Sequence, residues 1–472
     1  MSKICSKNFF IYCALIFGII LIMIIPPFQS PDEDSHFKKA YLISYGKLFP
    51  SSQDGKVGDY LPDNMIHYIN EKLNFIGDRD KKYTYGELII DDRLPQDYSE
   101  QTFQSFSTAE VTPVVYIAPA TGILISRIMM PIIGLEGISI TTMLYFARFF
   151  SLLLYITIIA IAIKITPILK KTFCMIGLMP MALSLATAIS YDSVLIAISL
   201  LSTALILKLI FDDNVKKVNY KYIIAFGIIG FILLSVKTVY ITVLLPLIFV
   251  PKEKYDKGNK GMIKCFFTIA SISLGIYILN KLPSVFLDKS TTSDSIAAKE
   301  QLNMILQYPI YYLKIWIKSM IDNRNYYYSG IFGVFGLSDT YVLTLYTVIY
   351  SIAFFIIGLS DTSLSDKKFN WKYKTLSLLG ILVSIFGIFL AMYVFWTSVL
   401  DGYGVGAQTI TGVQGRYFLP LLPMFIVLLS NSILERNEKV KNILKKILDN
   451  SYLVFFTILI VSSFTILLRF WC

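Results

Sequence analysis

Residues 9–27 read FFIYCALIFGIILIMIIPP, and residues 31–36 read PDEDSH. The first stretch is an apolar run of about the 20 residues an α-helix needs to cross a hydrocarbon core. The second places three carboxylates and an imidazole directly beyond it. Lys3 and Lys7 precede the run and Pro26-Pro27-Phe28 ends it. No small-residue cleavage pattern follows, so it reads as an uncleaved first helix starting in the cytoplasm, not as a signal peptide.

Comparable windows recur near 113–133, 139–163, 172–189, 193–211, 221–250, 262–281, 340–358, 375–396, 416–434 and 452–470. They predict an all-α polytopic membrane protein: one bundle of about 11–13 transmembrane helices, with 221–250 as one helix or as two short ones broken at Lys237. Composition agrees, since 55% of the 472 residues are hydrophobic and 16% charged, against roughly 25% charged in a soluble domain. The net charge of +11 does not indicate nucleic acid, because the Lys and Arg residues lie in short loops without a basic stripe of interleaved aromatics. Cys5, Cys13, Cys174, Cys265 and Cys472 lie in or beside apolar segments with no CxxC spacing, which supports neither a disulfide framework nor a zinc site.

The Lys and Arg excess falls in the connections 208–221, 252–264, 367–374 and 436–446, which places them in the cytoplasm. Alternation then puts 28–112, the Tyr191-Asp192 turn, 282–339 and the Gly-rich loop 397–415 outside, all within one membrane domain spanning 1–472. Three apolar segments separate the outside loop ending near 112 from the outside turn at Asp192, where an even number of crossings is required. The favoured non-spanning segment is 172–189, short and carrying Pro180, although this strands Lys170 and Lys171 outside. The alternative is a shallow segment containing Pro113, Pro119 and Pro131.

Loop 28–112 holds 15 of the 32 acidic residues against 9 Lys or Arg. A connection this long between two membrane helices is usually functional. Helical spacing at 35–45 and 63–75 predicts helices lying along the membrane surface, and 307–321 in the second loop predicts another, with Tyr308, Tyr311, Tyr312 and Trp316 suited to the interface.

The Asp32, Glu33, Asp34 and His36 cluster supplies acid, base and metal-ligand capacity held close to the bilayer. It reads equally as a solvated helix start capped by Ser30 or Asp32. The run from Asp401 to Gly406 and then Gly412 to Tyr417 brings backbone amides and Arg416 to a helix start, as a phosphate clamp or as a flexible loop with an interfacial anchor. Lys237 interrupts an apolar stretch, which calls for a partner, a function or snorkelling to the interface. Asp192, after Ser190 and Tyr191, suits an N-terminal cap or catalysis, and Arg148, in another apolar segment, suits pairing with an acidic group that the sequence does not identify. The acidic and cationic clusters share the outer side, which suits a substrate with its phosphate at headgroup level and its tail in the bilayer. No P-loop, Ser-His-Asp spacing or HExxH occurs.

Pro31-Asp32-Glu33 with His36, Ser190-Tyr191-Asp192, Lys237 with Tyr240, Phe332-Gly333 with Phe335-Gly336, and Gly412 to Phe418 with Pro420 resemble the bacterial membrane protein family called domain of unknown function 2142. The resemblance runs in order along nearly the whole chain. That family is similar to GT-C superfamily membrane glycosyltransferases, which implies a GT-C-like bundle in the bacterial cytoplasmic membrane, multi-pass, with the N-terminus cytoplasmic. The activity implied is transfer of a sugar from a polyprenyl-phosphate donor to a cell-envelope glycan, lipid or protein on the extracytoplasmic face, with inversion. Asp32 would then be the general base and Glu33 its understudy. His36, Asp192, Lys237, Tyr240, Gln414, Arg416 and Tyr417 would bind substrate, with Arg416 and Lys237 on the leaving phosphate. GT-C enzymes differ in metal use, so Mg²⁺ or Mn²⁺ at Asp32 and Asp192 stays open. The competing expectations are a transporter or flippase of a lipid-linked envelope precursor, and a non-catalytic assembly subunit.

Overall fold

The computed structural model describes residues 6–88, 99–132, 138–288, 293–431 and 433–471. Lys3, Cys5 and Cys472 lie outside the described residues. Nine helices among those described are long and apolar enough to cross a membrane, and the fold is the all-α polytopic bundle expected from composition and hydropathy.

The first helix, α1 (Ser6–Ile24), ends where Pro26 and Pro27 remove the N–H groups that would extend it. Beyond it α2 (Glu33–Ser44) and α3 (Asp63–Leu73) form at the two places where helical spacing predicts them. Between and after them runs a small antiparallel sheet that hydropathy does not predict: β1 (Ser51–Gln53), β2 (Lys56–Pro62) and β3 (Gln101–Ser105), in the order β1-β2-β3. Its hairpin turns at Asp54-Gly55, both at positive φ, the two-residue Asp-Gly loop whose twist matches antiparallel strands. Gly58 is required on β2, because a Cβ there would sit 1.9 Å from the Gln104 carbonyl.

Contacts at helix ends assign each segment to one of two faces: a loop-1 face, from which 28–112 projects, and a lysine-rich face opposite. After α4 (Ile117–Ile132) comes α5 (Ile140–Ile165), which descends from the loop-1 face; Tyr68 of α3 bonds Thr141 near its start at 2.7 Å. Next are the short helices α6 (Lys170–Gly177) and α7 (Pro180–Ala186). Lys171 bonds the Leu448 carbonyl and lies 3.6 Å from Asp449 on the lysine-rich face. At the other end the Ile189 N–H reaches Glu33 at the loop-1 face, at 3.2 Å. Segment 172–189 therefore does cross, as two broken pieces, which corrects the favoured expectation and removes the difficulty of stranding Lys170 and Lys171. The alternative holds instead: α4 lies along α2, with Tyr116 on His36 at its start and Arg127 bonded to the Ser44 carbonyl at 3.3 Å. Both ends of α4 thus sit at the loop-1 face.

From the loop-1 face α8 (Tyr191–Phe211) returns to the lysine-rich one, and α9 (Tyr220–Lys237) rises again. The apolar stretch continues as a 3₁₀ helix, Thr238–Phe249, but the Val218 N–H bonds the Lys254 carbonyl at 2.7 Å. The two ends are therefore adjacent, and 220–249 is a hairpin broken at Lys237. At a rise of about 2.0 Å per residue, a 3₁₀ helix of this length spans about 24 Å, close to what the longer α9 covers at about 1.5 Å. Thr238, Val239, Ile241, Thr242 and Val243, all β-branched, with Pro246, disfavour the α alternative.

The chain then runs through α10 (Asn259–Val285) to the second loop, which holds α11 (Ser293–Gln307), α12 (Pro309–Asp322) and α13 (Arg324–Phe332). It crosses back in α14 (Thr344–Ser363) and rises in α15 (Trp371–Phe395). It descends through a 3₁₀ turn, Gly415–Leu421, continued by α16 (Leu422–Leu428), reaching Ser430, whose carbonyl accepts from Lys374. The amphipathic α17 (Glu438–Asp449) follows, and α18 (Ser451–Trp471) returns to the loop-1 face. There the Tyr83 N–H caps the Phe470 carbonyl at 2.6 Å, Arg469 pairs with Asp339 at 2.8 Å, and Trp471 donates to the Ile24 carbonyl at 2.7 Å. Nine candidate spans, less shallow α4, plus one for the hairpin and two for the broken segments, give eleven crossings among the described residues.

This arrangement predicts the outcome of single-cysteine labelling, with the native cysteines replaced. Cysteines at Lys171 and Lys439 should react with a membrane-impermeant maleimide from the same side, and one at Arg127 only from the other. Labelling of Lys171→Cys and Arg127→Cys from one side would contradict the placement of α4 and α6.

Candidate functional site

Where α1 leaves the bundle, two adjacent carboxylates turn in opposite directions. Glu33, the first residue of α2, is fully buried and forms a two-pronged pair with fully buried Arg148 of α5, Nε to Oε1 at 2.8 Å and Nη2 to Oε2 at 2.6 Å. Arg148 also donates to the Ile25 and Pro26 carbonyls at 2.6 and 2.9 Å. The acidic group that pairs with Arg148 is thus Glu33. A guanidinium fork matched to a carboxylate and satisfied by further carbonyls is the geometry in which a buried ion pair is stable. It leaves Glu33 enclosed beside Arg148, out of reach of the loop-1 surface, and the role of understudy base does not fit this position.

Asp32 precedes α2 with φ 58° and ψ 13°, a left-handed conformation that costs a non-glycine residue about 1 kcal/mol and that Asp tolerates better than most. The kink faces its side chain away from Glu33; it is 58% exposed and accepts from Arg416 Nη2 at 2.7 Å. Arg416 itself is 2% exposed. Its Nε lies 3.4 Å from Asp192, which in turn accepts from Lys237 at 2.8 Å. Asp192 sits in the first turn of α8, whose start is capped by the Ser190 hydroxyl, 3.1 Å from the Asp192 N–H. A carboxylate here is favoured by the helix dipole. Lys237 marks the apex of the broken hairpin, and Arg416 the start of the other 3₁₀ crossing. The chain thus brings together four charges from four distant segments.

Aromatic rings wall this quartet. Lys237 lies 3.9 Å from the Tyr417 ring centre and 5.1 Å from that of Tyr191, close enough for cation–π attraction. The Tyr240 hydroxyl donates to the Tyr417 carbonyl at 2.7 Å, so Tyr240 ties the two 3₁₀ crossings together from behind. Gln414 is half-buried on the approach to Gly415. Gly415 admits no Cβ, which would meet the Tyr327 carbonyl at 2.3 Å, and this close approach fixes where Arg416 begins. Phe335 and Gly336 line a small cavity together with Ser30 and Pro31, supporting the Asp32 kink from below.

His36 stands behind the quartet. It shares a 2.6 Å hydrogen bond between Nδ1 and the Tyr116 hydroxyl and packs edge-on to Tyr191 at 4.7 Å. Burial lowers its pKa from 6.5 to about 4, against the opposing fields of Asp32 and Asp192 and with that of Arg416. It is therefore neutral near pH 7 and orients tyrosines; it does not hold a phosphate as a cation. Tyr116 and Tyr191 are site residues that sequence reasoning misses. Tyr191 lies inside the Ser190-Tyr191-Asp192 motif, whereas nothing in the sequence around Tyr116 distinguishes it from the apolar run it begins.

The buried Arg416 keeps polar capacity in reserve: Nε and Nη1 have no hydrogen-bond acceptor, Nε having only the long contact to Asp192. A buried, unsatisfied guanidinium edge is costly unless an acceptor comes to it. The quartet can exchange a carboxylate for an anionic ligand without adding or burying a new cation. Among the described residues no three His, Cys, Asp or Glu side chains converge as metal ligands. Asp32 and Asp192 are each engaged by Arg416, so this donor set does not fit Mg²⁺ or Mn²⁺ and no step is assigned to a metal.

Residues 15–425 match a protein family described as "Predicted membrane protein (DUF2142)", and the chain belongs to that family. No curated protein and no solved structure matches it.

Two outcomes follow from this geometry. Arg148→Ala or Glu33→Ala leaves its partner charged and buried and should destabilise the fold by about 3–5 kcal/mol, lowering membrane abundance and thermal stability in detergent, whereas Asp32→Asn should change neither appreciably. Because the His36 pKa falls on folding, its contribution is complete above pH 6.5 and is lost as pH falls towards 4, on the order of 3 kcal/mol. Thermal melts at pH 7.5 and 4.5 should show a smaller acid-induced drop in His36→Gln than in the wild type; equal drops would exclude His36 as a source.

Proposed function

We propose that this member of the DUF2142 family is a GT-C-like glycosyltransferase that moves a sugar from a polyprenyl-phosphate donor to a cell-envelope acceptor. The observation that carries the reading is the pairing of exposed Asp32 with buried Arg416, whose unsatisfied guanidinium edge lies at the start of a membrane crossing. Arg416 and Lys237 offer two cations to a phosphate at the loop-1 face. Asp32 is the one carboxylate of the quartet that solvent reaches freely.

Binding of the donor phosphate competes with Asp32 for Arg416 and releases the carboxylate. The acceptor hydroxyl oxygen then attacks the anomeric carbon from the side opposite the phosphate, and the bond from that carbon to the phosphate oxygen breaks. The hydroxyl proton passes to Asp32, and the bonding electron pair leaves with the polyprenyl phosphate, held by Arg416 and Lys237. Configuration at the anomeric carbon inverts. A positioned base typically contributes about 10²- to 10⁴-fold, and preorganised cations on the leaving group often contribute more. Asp192 holds Lys237 and Arg416 in register. In this reading the lysine-rich face is cytoplasmic, so the N-terminus is too, and transfer takes place on the outer side of the bacterial cytoplasmic membrane.

The test is the envelope glycan composition of a deletion strain complemented with wild type, Asp32→Asn or Arg416→Ala, at matched membrane abundance. A sugar decoration that disappears on deletion should return with the wild type and fall by about 10²-fold or more in initial rate with either variant. Full restoration by both variants would refute the mechanism. Accumulation of an unflipped lipid-linked precursor with no change in transfer rate would favour a transporter.

A further inference from the structure

The helix α17, EKVKNILKKILD, lies at the lysine-rich end of the bundle between two crossings. The chain approaches it from Asn431, whose N–H bonds the Ser363 hydroxyl at the end of α14 at 3.2 Å. It leaves at Leu448, whose carbonyl accepts from Lys171 at the start of α6, directly before α18 begins. From its first turn to its last the helix rests on protein: Leu444 is buried, Val440, Ile447 and Leu448 are half-buried, and α14 packs against it. Successive residues of an α-helix turn by about 100°, which sets the order of what surrounds this one. Beside the stripe that rests on protein comes Ile443, 58% exposed. Beside Ile443 come Lys439 and Lys446, one turn to either side of it, and beyond them exposed Asn442, Lys445 and Asp449. Protein, apolar surface, cations and polar surface thus follow one another round the helix, in the order met at a bilayer surface. The two carboxylates of α17 are engaged, since Glu438 lies 3.5 Å from Lys441 and Asp449 lies 3.6 Å from Lys171. Among the described residues, no carboxylate pairs with Lys439, Lys445 or Lys446.

We propose that α17 binds anionic phospholipids of the leaflet at the lysine-rich face, with Lys439 and Lys446 on the headgroup phosphates and Ile443 between the acyl chains. Three observations favour a lipid surface over an acidic protein. The unpaired cations Lys439 and Lys446 share one stripe with an exposed apolar side chain, so a partner must offer negative charge and hydrocarbon side by side. The chain on either side of the helix belongs to membrane crossings, α16 before it and α18 after it, so the bilayer is the surface that already adjoins it. Lysine stems can lie along the apolar surface around Ile443 while their ammonium groups reach the headgroup level. Each lysine held near an anionic leaflet is attracted to it electrostatically, and the unpaired state of these two leaves that attraction uncancelled by a carboxylate of the protein. Binding of this kind fixes the connection between α16 and α18 to the membrane surface and is independent of any transfer reaction.

The experiment uses the full-length protein with a photoreactive benzoylphenylalanine in place of Ile443, in nanodiscs of equal parts phosphatidylglycerol and phosphatidylcholine. On irradiation, mass spectrometry of the peptide holding position 443 should show phosphatidylglycerol adducts exceeding phosphatidylcholine adducts by about fivefold or more, the preference that one lysine near an anionic surface supplies. Lys439→Gln combined with Lys446→Gln should bring that ratio close to one. Lys257→Gln combined with Lys260→Gln, which removes two other exposed lysines of the same face, should leave it unchanged. All variants are compared at equal thermal stability. A ratio near one in the parent protein, an excess that survives the loss of Lys439 and Lys446, or an equal fall in the Lys257 and Lys260 pair would overturn the proposal. Adducts to a second protein chain in place of lipid would overturn it in favour of an interface between copies, and the absence of any lipid adduct would put this face of α17 in water and overturn it too.

Discussion

The buried pair between Glu33 and Arg148 is the constraint from which the loop-1 face is organised. It joins the end of α1, the start of α2, the upper part of α5 and, through Ile189, the turn that begins α8. A pair this deep cannot be half made: with either partner gone, the remaining charge stays in a low-dielectric interior without its counter-ion. Its geometry fixes where α2 begins, and the left-handed Asp32 is the cost of turning the chain into that helix immediately after Pro31. The carboxylate proposed to do chemistry is thus aimed by the carboxylate that does none.

Long apolar windows were legible in the sequence because a membrane span is defined by length and hydropathy. So was the hairpin at Lys237, where a single charge amid apolar residues marked the break. The side on which Asp32, Asp192, Lys237 and Arg416 meet followed from the alternation of lysine-rich connections. Which of Asp32 and Glu33 faces inward was not legible: adjacent residues on a helix start differ by about 100° in direction, and only the position of Arg148 decides between them.

Two further features were hidden for different reasons. The shallow α4 was open in the sequence only as the alternative that the parity of crossings allowed, since its apolar content is that of a spanning helix and nothing in it records that α2 lies along it. The broken α6 and α7 pair looked too short and too interrupted by Pro180 to cross. Yet its residues are almost all buried in protein, where irregular backbone at membrane depth is tolerated. The sheet in loop 1 left a trace in Asp54-Gly55, a two-residue hairpin signal that the surrounding helical spacing obscured.

The shallow α4 has a consequence for the bilayer itself. Ile117, Leu124, Ile128, Met129 and Ile132 are exposed along it, and Gly122 packs at the level of Ala147, next to Arg148. The later turns of α4 therefore rise beyond the Glu33 level, away from the lysine-rich face, with an apolar surface that only hydrocarbon solvates well. Lipid must climb along this flank, and the protein presents two hydrophobic thicknesses, greater beside α4 than at the Asp32 kink. Hydrophobic mismatch thus makes the charged quartet a depression in the leaflet at the loop-1 face, reached downhill from the α4 side.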